Sequence, residues 1–330
     1  MTTSPQRSTP STPEPTGRAL ALVAGGSRGL GLLMARELGR RGYRLAVSAR
    51  DADELAEARR ILEADGHDVR VDVCDVADPV GVQDLVDRIE RESGPVEVAL
   101  AVAGVIQVGP LSSMTRAHFE EAVGIMLWGP VNLALAVLPA MRTRGRGRIG
   151  IVSSIGGVVA VPHLLPYSTA KFGALGFSSG LRTELAGSGI TVTTIVPGLM
   201  RTGSHLRAEF VGTQSKEFSW FSLSAALPLV SMDAERAAHR IVSGVLAGRA
   251  YVLLTWMTKA AVRVSGLAPT LTSTVVGLGG RLLPSGPGAT TDTVQGYQAR
   301  ERMNGAAGRV LDGLTTLGRR ASRRFNQPQR

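Results

Sequence analysis

Residues 19–31 read ALALVAGGSRGLG and decide the fold class of this chain. An apolar run predicts a strand, the glycines that follow permit a tight turn, and good helix formers continue from Gly31. In such a unit the glycines let backbone N–H groups approach a pyrophosphate at the helix N-terminus. A glycine-rich turn alone is weak evidence, because glycine also serves ordinary turns. Its place between a first strand and a helix favours a dinucleotide site.

Apolar runs alternate with amphipathic stretches from Arg18 onward. The runs predict buried strands at residues 19–24, 44–49, 69–73, 96–103, 148–153 and 190–196. Helical spacing predicts helices at 31–41 and 54–64, and a further helix and strand follow at 233–247 and 250–254. This alternation implies a parallel sheet with helices on both faces. Right-handed crossovers then give a doubly wound α/β fold, whose ligand crevice lies at the carboxyl ends of the strands.

The excess of positive over negative charge lies entirely in the C-terminal part of the chain. The 330 residues include 37 Lys+Arg and 27 Asp+Glu, for a net charge of +10. Residues 1–200 carry 20 basic and 20 acidic side chains, whereas residues 201–330 carry 17 and 7. A nucleic-acid binder would carry its charge on the recognition fold itself. No nucleic-acid partner is therefore expected.

Composition excludes several other classes of protein. Hydrophobic residues make up 44% and charged residues 19%, which excludes a disordered or collagen-like chain. The single cysteine, Cys74, excludes a disulfide framework, and the histidines have no metal-ligand spacing. Residues 1–17 combine prolines with Ser and Thr and predict a disordered segment rather than a signal peptide. With no unbroken apolar run of about 18 residues, the protein is expected to be cytoplasmic, with peripheral membrane contact left open.

The end of the second predicted strand bears on the cofactor. A carboxylate there would bind the 2′-hydroxyl of NAD and repel a 2′-phosphate. Here Ala49 stands where the acid is expected, Arg50 follows it, and Arg28 lies in the glycine turn. Two guanidiniums can bind a dianionic phosphate, which favours NADP(H) over NAD. Asp51 argues the other way, and in the alternative interpretation Arg50 is a solvated residue at a helix start.

Three side chains form a candidate catalytic set. Tyr167 and Lys171 are four residues apart, on one face of a helix, and Ser154 ends a strand thirteen residues before Tyr167. A phenol titrates near pH ~10, too high for acid–base catalysis at neutral pH, but a neighbouring ammonium favours the phenolate. Ser154 alone could be a turn hydroxyl and Lys171 alone a surface charge. Together, after a glycine turn, they indicate an acid–base site.

With these residues the sequence resembles the short-chain dehydrogenase/reductase (SDR) family over about residues 18–254. The resemblance implies a Rossmann fold, and the residues beyond it are expected to form a C-terminal, mostly helical extension. It implies that Tyr167 donates a proton to a carbonyl, that Lys171 lowers the pKa of Tyr167 and binds the ribose, and that Ser154 orients the carbonyl. A hydride would pass between the nicotinamide and the carbonyl carbon.

The same resemblance implies the cofactor contacts. In the family, an Asp-Val pair contacts adenine, and residues after a Pro-Gly pair hold the nicotinamide carboxamide. Carried over to this chain, the cofactor-binding residues are Gly25, Ser27, Arg28, Gly29, Leu30, Gly31, Arg50, Asp75, Val76, Ala103, Gly104, Tyr167, Lys171, Pro197, Gly198 and Thr202.

The sequence departs from the family pattern at two places. The usual Asn-Asn-Ala-Gly is Ala-Val-Ala-Gly at residues 101–104, and the family's catalytic asparagine aligns with Met126. That asparagine helps to hold a water in the proton relay from the lysine, which Met126 cannot do, and Asn132 lies six residues too late. Three alternatives remain: another route supplies protons to the lysine, turnover is slow, or the activity is vestigial. A catalytically weak sensor or scaffold is thus the alternative to an active enzyme.

The segment 202–230 corresponds to the family's substrate lid. Its aromatic residues suggest a hydrophobic carbonyl or alcohol substrate, or they simply pack the lid onto the body. His163 either lines the substrate mouth or is a loop histidine without a role.

Residues 255–330 extend beyond the usual family length. Residues 255–283 combine basic and apolar side chains without an acid, which is typical of an interfacial membrane element or an oligomer contact. The arginines of 300–330 would attract anionic lipid head groups, or they form a solvated helix and a disordered tail. A homo-oligomer is expected.

Overall fold

The structure, a computed structural model, describes residues 17–201, 203–226, 231–284, 290–303 and 326. The strands are β1 (Leu20–Ala24), β2 (Arg44–Ala49), β3 (Val69–Val73), β4 (Val96–Ala101), β5 (Gln107–Val108), β6 (Gly147–Val152), β7 (Ile190–Val196), β8 (Met200–Arg201), β9 (Glu209–Phe210), β10 (Met232–Asp233), β11 (Tyr251–Leu253) and β12 (Val294–Gln295). The helices are α1 (Gly29–Arg40), α2 (Ala52–Ala64), α3 (Pro79–Ser93), α4 (Arg116–Val123), α5 (Gly129–Arg144), α6 (Leu165–Glu184), α7 (Ser204–Arg207), α8 (Gln214–Ala226), α9 (Ala234–Leu246), α10 (Trp256–Leu267), α11 (Pro269–Gly280) and α12 (Gly296–Glu301).

Seven of the strands form one parallel sheet in the order β11-β7-β6-β4-β1-β2-β3. Leu22 belongs to an apolar core on one face with residues of α3, α5 and α6, and Val23 to a core on the other face with residues of α1 and α9. Helices therefore cover both faces, which confirms the doubly wound α/β fold. Because β1 lies between β2 and β4, the strand order reverses there, and ligands of such sheets bind at this switch point.

Local contacts explain where the predicted elements begin and end. The strands predicted at 44–49, 69–73 and 190–196 coincide with β2, β3 and β7. Helix α2 begins two residues earlier than predicted, because the Asp51 carboxylate caps it by accepting a hydrogen bond from Glu54 N at 2.9 Å. The strand predicted at 96–103 ends at Ala101, since the next two backbone N–H groups turn to donate to Ala24 O.

One continuous helix runs through α4, a π-helical turn at Gly124–Trp128, and α5. Among the described residues, this helix is long and apolar enough to cross a membrane by length and composition. However, 56% of its most apolar 18-residue stretch is buried inside the protein, and residues such as Leu133 and Met141 lie in the main core. Packing against the sheet accounts for its apolar character.

The described part of the lid, residues 203–226, contains α7, β9 and α8. Phe210, Phe218 and Phe221 are buried and form an apolar cluster that also contacts Tyr167. Strand β9 joins β5 and β12 in a small sheet. The lid aromatics therefore pack the lid onto the body, as the second interpretation of the sequence supposed. Residues 227–230 lie outside the described residues.

Helices α10 and α11 follow the last strand of the main sheet and confirm a helical C-terminal extension. They pack against each other, and α11 has no fully buried residue. The segment expected to be disordered is residues 1–17, of which the structure describes only Gly17, and the basic tail falls mainly on residues 304–330. Apart from Gly17 and Asn326, these residues lie outside the part of the chain that the structure describes.

Candidate active site

Ser154, Tyr167 and Lys171 meet at the carboxyl end of β6. The Ser154 hydroxyl accepts a hydrogen bond from Gly156 N at 3.1 Å and caps a short 3₁₀ turn. Gly156 lets the ring of Tyr167 approach, because a Cβ at that position would lie 3.0 Å from Tyr167 Cε1. Lys171 Nζ lies 5.9 Å from the centroid of the Tyr167 ring. The structure thus brings the three predicted side chains together.

The Lys171 side chain is buried, with an exposed fraction of 4% for the residue. Its ammonium donates to Val152 O at 2.7 Å, and the Ser153 hydroxyl donates to Lys171 O at 2.8 Å, so both ends of the residue are fixed to β6. Burial lowers the pKa of Lys171 to about 8. This group can therefore take up and release a proton close to neutral pH.

Two opposing effects act on the phenol of Tyr167. Burial raises its pKa, and a side-chain hydrogen bond with Ser154 lowers it. The expectation that the lysine ammonium governs this phenol is therefore incomplete. Desolvation is the larger effect and has the opposite sign, and Ser154 is the residue that counters it.

The glycine turn is packed against the end of β4. Gly25 has φ +89°, and a Cβ there would overlap Ala103 N. A Cβ at Gly31 would overlap the carbonyl oxygen of Gly25. Gly29 has φ +55°, in the left-handed region that favours glycine. Glycines at these positions therefore let the turn pack closely at the sheet's switch point, in the strand–turn–helix arrangement of a pyrophosphate cradle.

Two further predicted positions follow β3. Asp75 is exposed, and its carboxylate accepts from Ala77 N at 2.9 Å. Val76 is buried, and its carbonyl oxygen accepts from the Asn132 side chain at 2.9 Å. The Asn132 amide therefore fixes the loop after β3. Because it is engaged there, it does not take the role of the family's catalytic asparagine, whose position is occupied by Met126.

The Pro-Gly pair follows β7. Pro197 O accepts from Ile155 N at 2.8 Å, which ties this loop to the turn after Ser154. Gly198 faces the start of α10, where a Cβ would lie 2.6 Å from Thr255 Oγ1. Thr202, the third predicted residue of this segment, lies outside the described residues.

The two arginines expected at the 2′-phosphate have different environments. Arg28 forms an ion pair with Glu54 at 3.0 Å, and Arg207 of α7 pairs with the same carboxylate at 3.2 Å. Ser27 Oγ also donates to Glu54, at 3.2 Å. Burial lowers the pKa of Arg28, while Glu54 opposes this shift. Arg50, in contrast, is exposed. Local sequence patterns did not predict that Glu54 and Arg207 belong to the cluster around Arg28.

Asn326 was also missed. Its side-chain amide donates to Ser27 O at 2.8 Å and to Glu54 O at 3.0 Å, and only 7% of the residue is exposed. A residue from the C-terminal tail thus contacts the glycine turn directly. A single asparagine in a basic tail carries no local signal of such a contact.

Met126 lies in the π-helical turn between α4 and α5 and is fully buried. A Cβ at Gly104 would lie 3.4 Å from Met126 Sδ and 3.8 Å from Lys171 Nζ. The thioether and the lysine ammonium therefore flank the same glycine. π-Helical turns are often found at functional sites.

The chain matches known proteins over the same region. A family profile described as short chain dehydrogenase matches residues 19–209. A putative ketoacyl reductase of the granaticin polyketide synthase from Streptomyces violaceoruber is 33% identical over 235 residues, which cover 69% of this chain and 86% of that protein. The putative oxidoreductase SadH from Mycobacterium tuberculosis is 32% identical over 244 residues, 73% of this chain and 87% of that protein.

A solved structure leads to the same family. A variant of actinorhodin polyketide ketoreductase with NADPH matches with a TM-score of 0.63 and 30% identity, covering 71% of this chain and 94% of that chain. The sheet order and the glycine turn agree with these similarities. The chain belongs to the short-chain dehydrogenase family of oxidoreductases.

Proposed function

We propose that this protein is an NADP(H)-dependent oxidoreductase that interconverts a carbonyl and a secondary alcohol on a hydrophobic substrate. The observation that carries the proposal is the convergence of Ser154, Tyr167 and Lys171 beside a glycine turn at the sheet's switch point. We propose residues 18–254 as the catalytic domain. The nicotinamide, when bound, supplies or accepts the hydride.

In the proposed reduction, the Ser154 hydroxyl donates a hydrogen bond to the substrate's carbonyl oxygen and orients it. The Tyr167 hydroxyl donates the proton that this oxygen needs as its negative charge develops. The buried Lys171 ammonium stabilises the resulting phenolate and contacts the ribose, and its pKa of about 8 suits it to return a proton to Tyr167. In the oxidation direction the same groups act in reverse.

The arginine cluster supports NADP(H) as the cofactor. Arg28 and Arg207 share one carboxylate, Glu54, so these three groups keep an excess positive charge, whereas the nearby Arg50 and Asp51 act on Arg28 with opposite signs. A 2′-phosphate is a dianion that guanidiniums bind well. The last residue of β2, where an acid would bind the 2′-hydroxyl of NAD, is Ala49.

Two measurements test this function. Fluorescence titration is expected to give an NADPH affinity roughly tenfold or more above that for NADH, and NADPH oxidation should accompany reduction of long-chain ketones. NADPH binding without turnover on a broad panel of apolar ketones and aldehydes would instead support the catalytically weak sensor. The observation that favours this second function is the buried Met126 beside Gly104 and Lys171.

Changing Met126 to asparagine is expected to raise turnover severalfold, because an amide could hold a water between the lysine and bulk solvent. The same change should lower the free energy of unfolding by about 1–3 kcal/mol, since it buries a polar group in an apolar core. Stopped-flow NADPH oxidation and urea denaturation measure the two effects. Met126→Leu is the matched control and should change turnover and stability only slightly. Unchanged turnover in Met126→Asn would contradict the explanation that a missing asparagine limits the proton relay.

We further propose that the α10–α11 hairpin rests on an anionic membrane surface. The exposed apolar residues of this region include Val264, Leu267, Leu271, Val275, Leu278 and Leu282. Lys259, Arg263 and Arg281 are exposed beside them, and no acid occurs at residues 255–284. Apolar side chains flanked by cations are typical of interfacial helices.

The protein is expected to co-sediment with phosphatidylserine vesicles. High salt and the double substitution Leu267→Ser/Leu271→Ser should each reduce the bound fraction. Phosphatidylcholine vesicles provide the control for charge. Concentration-dependent self-association without vesicle binding would assign this face to a homo-oligomer instead. Point substitutions are preferable to truncation at residue 254, because truncation also removes the contact of Asn326 with the glycine turn.

A further inference from the structure

A buried polar cluster links the lid to the loop that precedes Tyr167. Glu217 of α8 is fully buried, and both of its carboxylate oxygens lie 2.9 Å from His163 Nδ1. Trp220 Nε1 donates to the same carboxylate at 2.7 Å. A buried carboxylate is stable only with such donors. Glu217 therefore fixes the orientation of the His163 ring.

The backbone of His163 is also held in place. Its φ of +62° lies in the left-handed region, which costs a residue other than glycine about 1 kcal/mol or more. Its carbonyl oxygen accepts from Gly109 N at 2.8 Å. Contacts from two separate segments thus maintain an unfavourable backbone conformation, and the result is one defined position for the imidazole.

His163 lines a cavity of about 730 Å³ between the loop before Tyr167 and the helices α10 and α11. This volume is in the range of pockets that bind small molecules. Most of the other lining residues are apolar: Leu111, Val158, Val159, Ala160, Val161, Pro162, Leu165, Phe172, Val262, Pro269 and Val276.

The remaining polar side chains of the cavity already have partners. The hydroxyls of Ser265, Thr272 and Ser273 donate to carbonyl oxygens of their own helices, at 3.4, 3.0 and 3.0 Å. His163 is the one titratable side chain among the lining residues that the structure describes. Because Nδ1 faces Glu217, Nε2 is the ring nitrogen of His163 that is left to hydrogen-bond a ligand.

We propose that this cavity binds the apolar body of the substrate and that His163 Nε2 forms a hydrogen bond with a hydroxyl distant from the reacting carbonyl. The substrate class is therefore a hydrophobic ketone, or the corresponding alcohol, with a second hydroxyl or phenol group. His163 is the specificity-determining residue, and Glu217 and Trp220 are positioning residues. This inference rests on the proposed function.

Chain continuity connects the cavity to the reaction. The wall formed by residues 158–165 lies between Ser154 and Tyr167 in sequence, and Val161 and Leu164 pack in the same apolar cluster as the Tyr167 ring. Ser154, Tyr167 and Lys171 do not line the cavity themselves, so the proposal requires the reacting carbonyl to extend from this wall to the acid–base pair. The pairing of His163 with α8 also makes the wall sensitive to the position of the lid.

A matched pair of substrates tests the inference: methyl nonyl ketone and its ω-hydroxy analogue, with NADPH oxidation as the readout. The wild-type kcat/KM should favour the hydroxy ketone roughly tenfold, through KM. His163→Asn, a residue type that tolerates positive φ, should bring the ratio of the two kcat/KM values close to one. Glu217→Gln should weaken the preference, whereas the control Ser265→Ala should retain it.

A binding assay separates this inference from the proposed function. In a Trp128→Phe/Trp256→Phe background, Trp220 remains as a fluorescent reporter, with its ring centroid 6.4 Å from that of His163. Tighter binding of the hydroxy ketone without NADPH supports the cavity assignment even if neither ketone is reduced. Equal binding of both ketones by the wild-type cavity, or a preference that survives His163→Asn, would overturn it.

Discussion

Tyr167→Phe is expected to lower NADPH-dependent ketone reduction by roughly a thousandfold while NADPH affinity stays within a few fold of wild type. The substitution removes only the proton donor, whose contribution in such reactions is about 10²–10⁴-fold. The ring keeps its place in the apolar cluster with Leu164 and Phe210. Loss of the hydrogen bond with Ser154 should cost about 1 kcal/mol of stability. Steady-state kinetics and fluorescence titration of NADPH measure the two quantities.

Tyr251→Phe provides the matched control, because it deletes the same hydroxyl from an exposed tyrosine. That hydroxyl lies 2.6 Å from Ser179 Oγ, on the outer side of β11. Its removal should leave reduction rates unchanged. If Tyr167→Phe kept more than about a tenth of wild-type activity, the tyrosine would not be the acid required by the mechanism.

Lys171→Met is expected to lower turnover at least about a hundredfold and to change how stability depends on pH. The pKa of Lys171 is about 8 in the folded protein, against an ordinary value of 10.5. Between these values the unfolded chain holds the proton and the folded protein releases it. Stability contributed by this residue therefore rises with pH across the window, by a total on the order of 3 kcal/mol. The methionine of Lys171→Met does not titrate, so the variant lacks this contribution to the pH dependence of stability.

Urea denaturation of both proteins at several pH values between 8 and 10 measures this effect. The free energy of unfolding of wild type minus that of Lys171→Met should become more positive as pH rises. Lys259→Met, which removes a lysine from the exposed face of α10, is the matched control for the loss of one lysine. A difference for Lys171→Met that is flat or falls with pH would contradict the buried-ammonium explanation.

The strands and helices of the sheet could be predicted because their signals are local. After Arg44, the run at 44–49 has only apolar or small residues, which suits a buried strand. Asp51 is a good helix cap that shifts the start of α2 by two residues. Parallel strands and right-handed crossovers then leave few topologies. The spacing of Tyr167 and Lys171 was likewise local, so their meeting followed from helix geometry.

The contacts that sequence reasoning missed all join distant segments. Glu54 receives Arg28 from the glycine turn and Arg207 from the lid, and His163 meets Glu217 across 54 residues. Nothing in the periodicity near these residues marks their partners. The desolvation that raises the pKa of Tyr167 is also a product of tertiary packing.

The hydrogen bond from Asn326 to Ser27 O joins residues 299 positions apart, and this has a consequence for how the protein is made. Ribosomes add about 5–20 residues per second, so the glycine turn and the sheet precede Asn326 by several seconds or more. During that interval the growing chain can fold around the turn while the cell's nucleotide pool has access to it. The order of synthesis thus leaves the glycine turn without its contact to Asn326 until the C-terminal tail has been made.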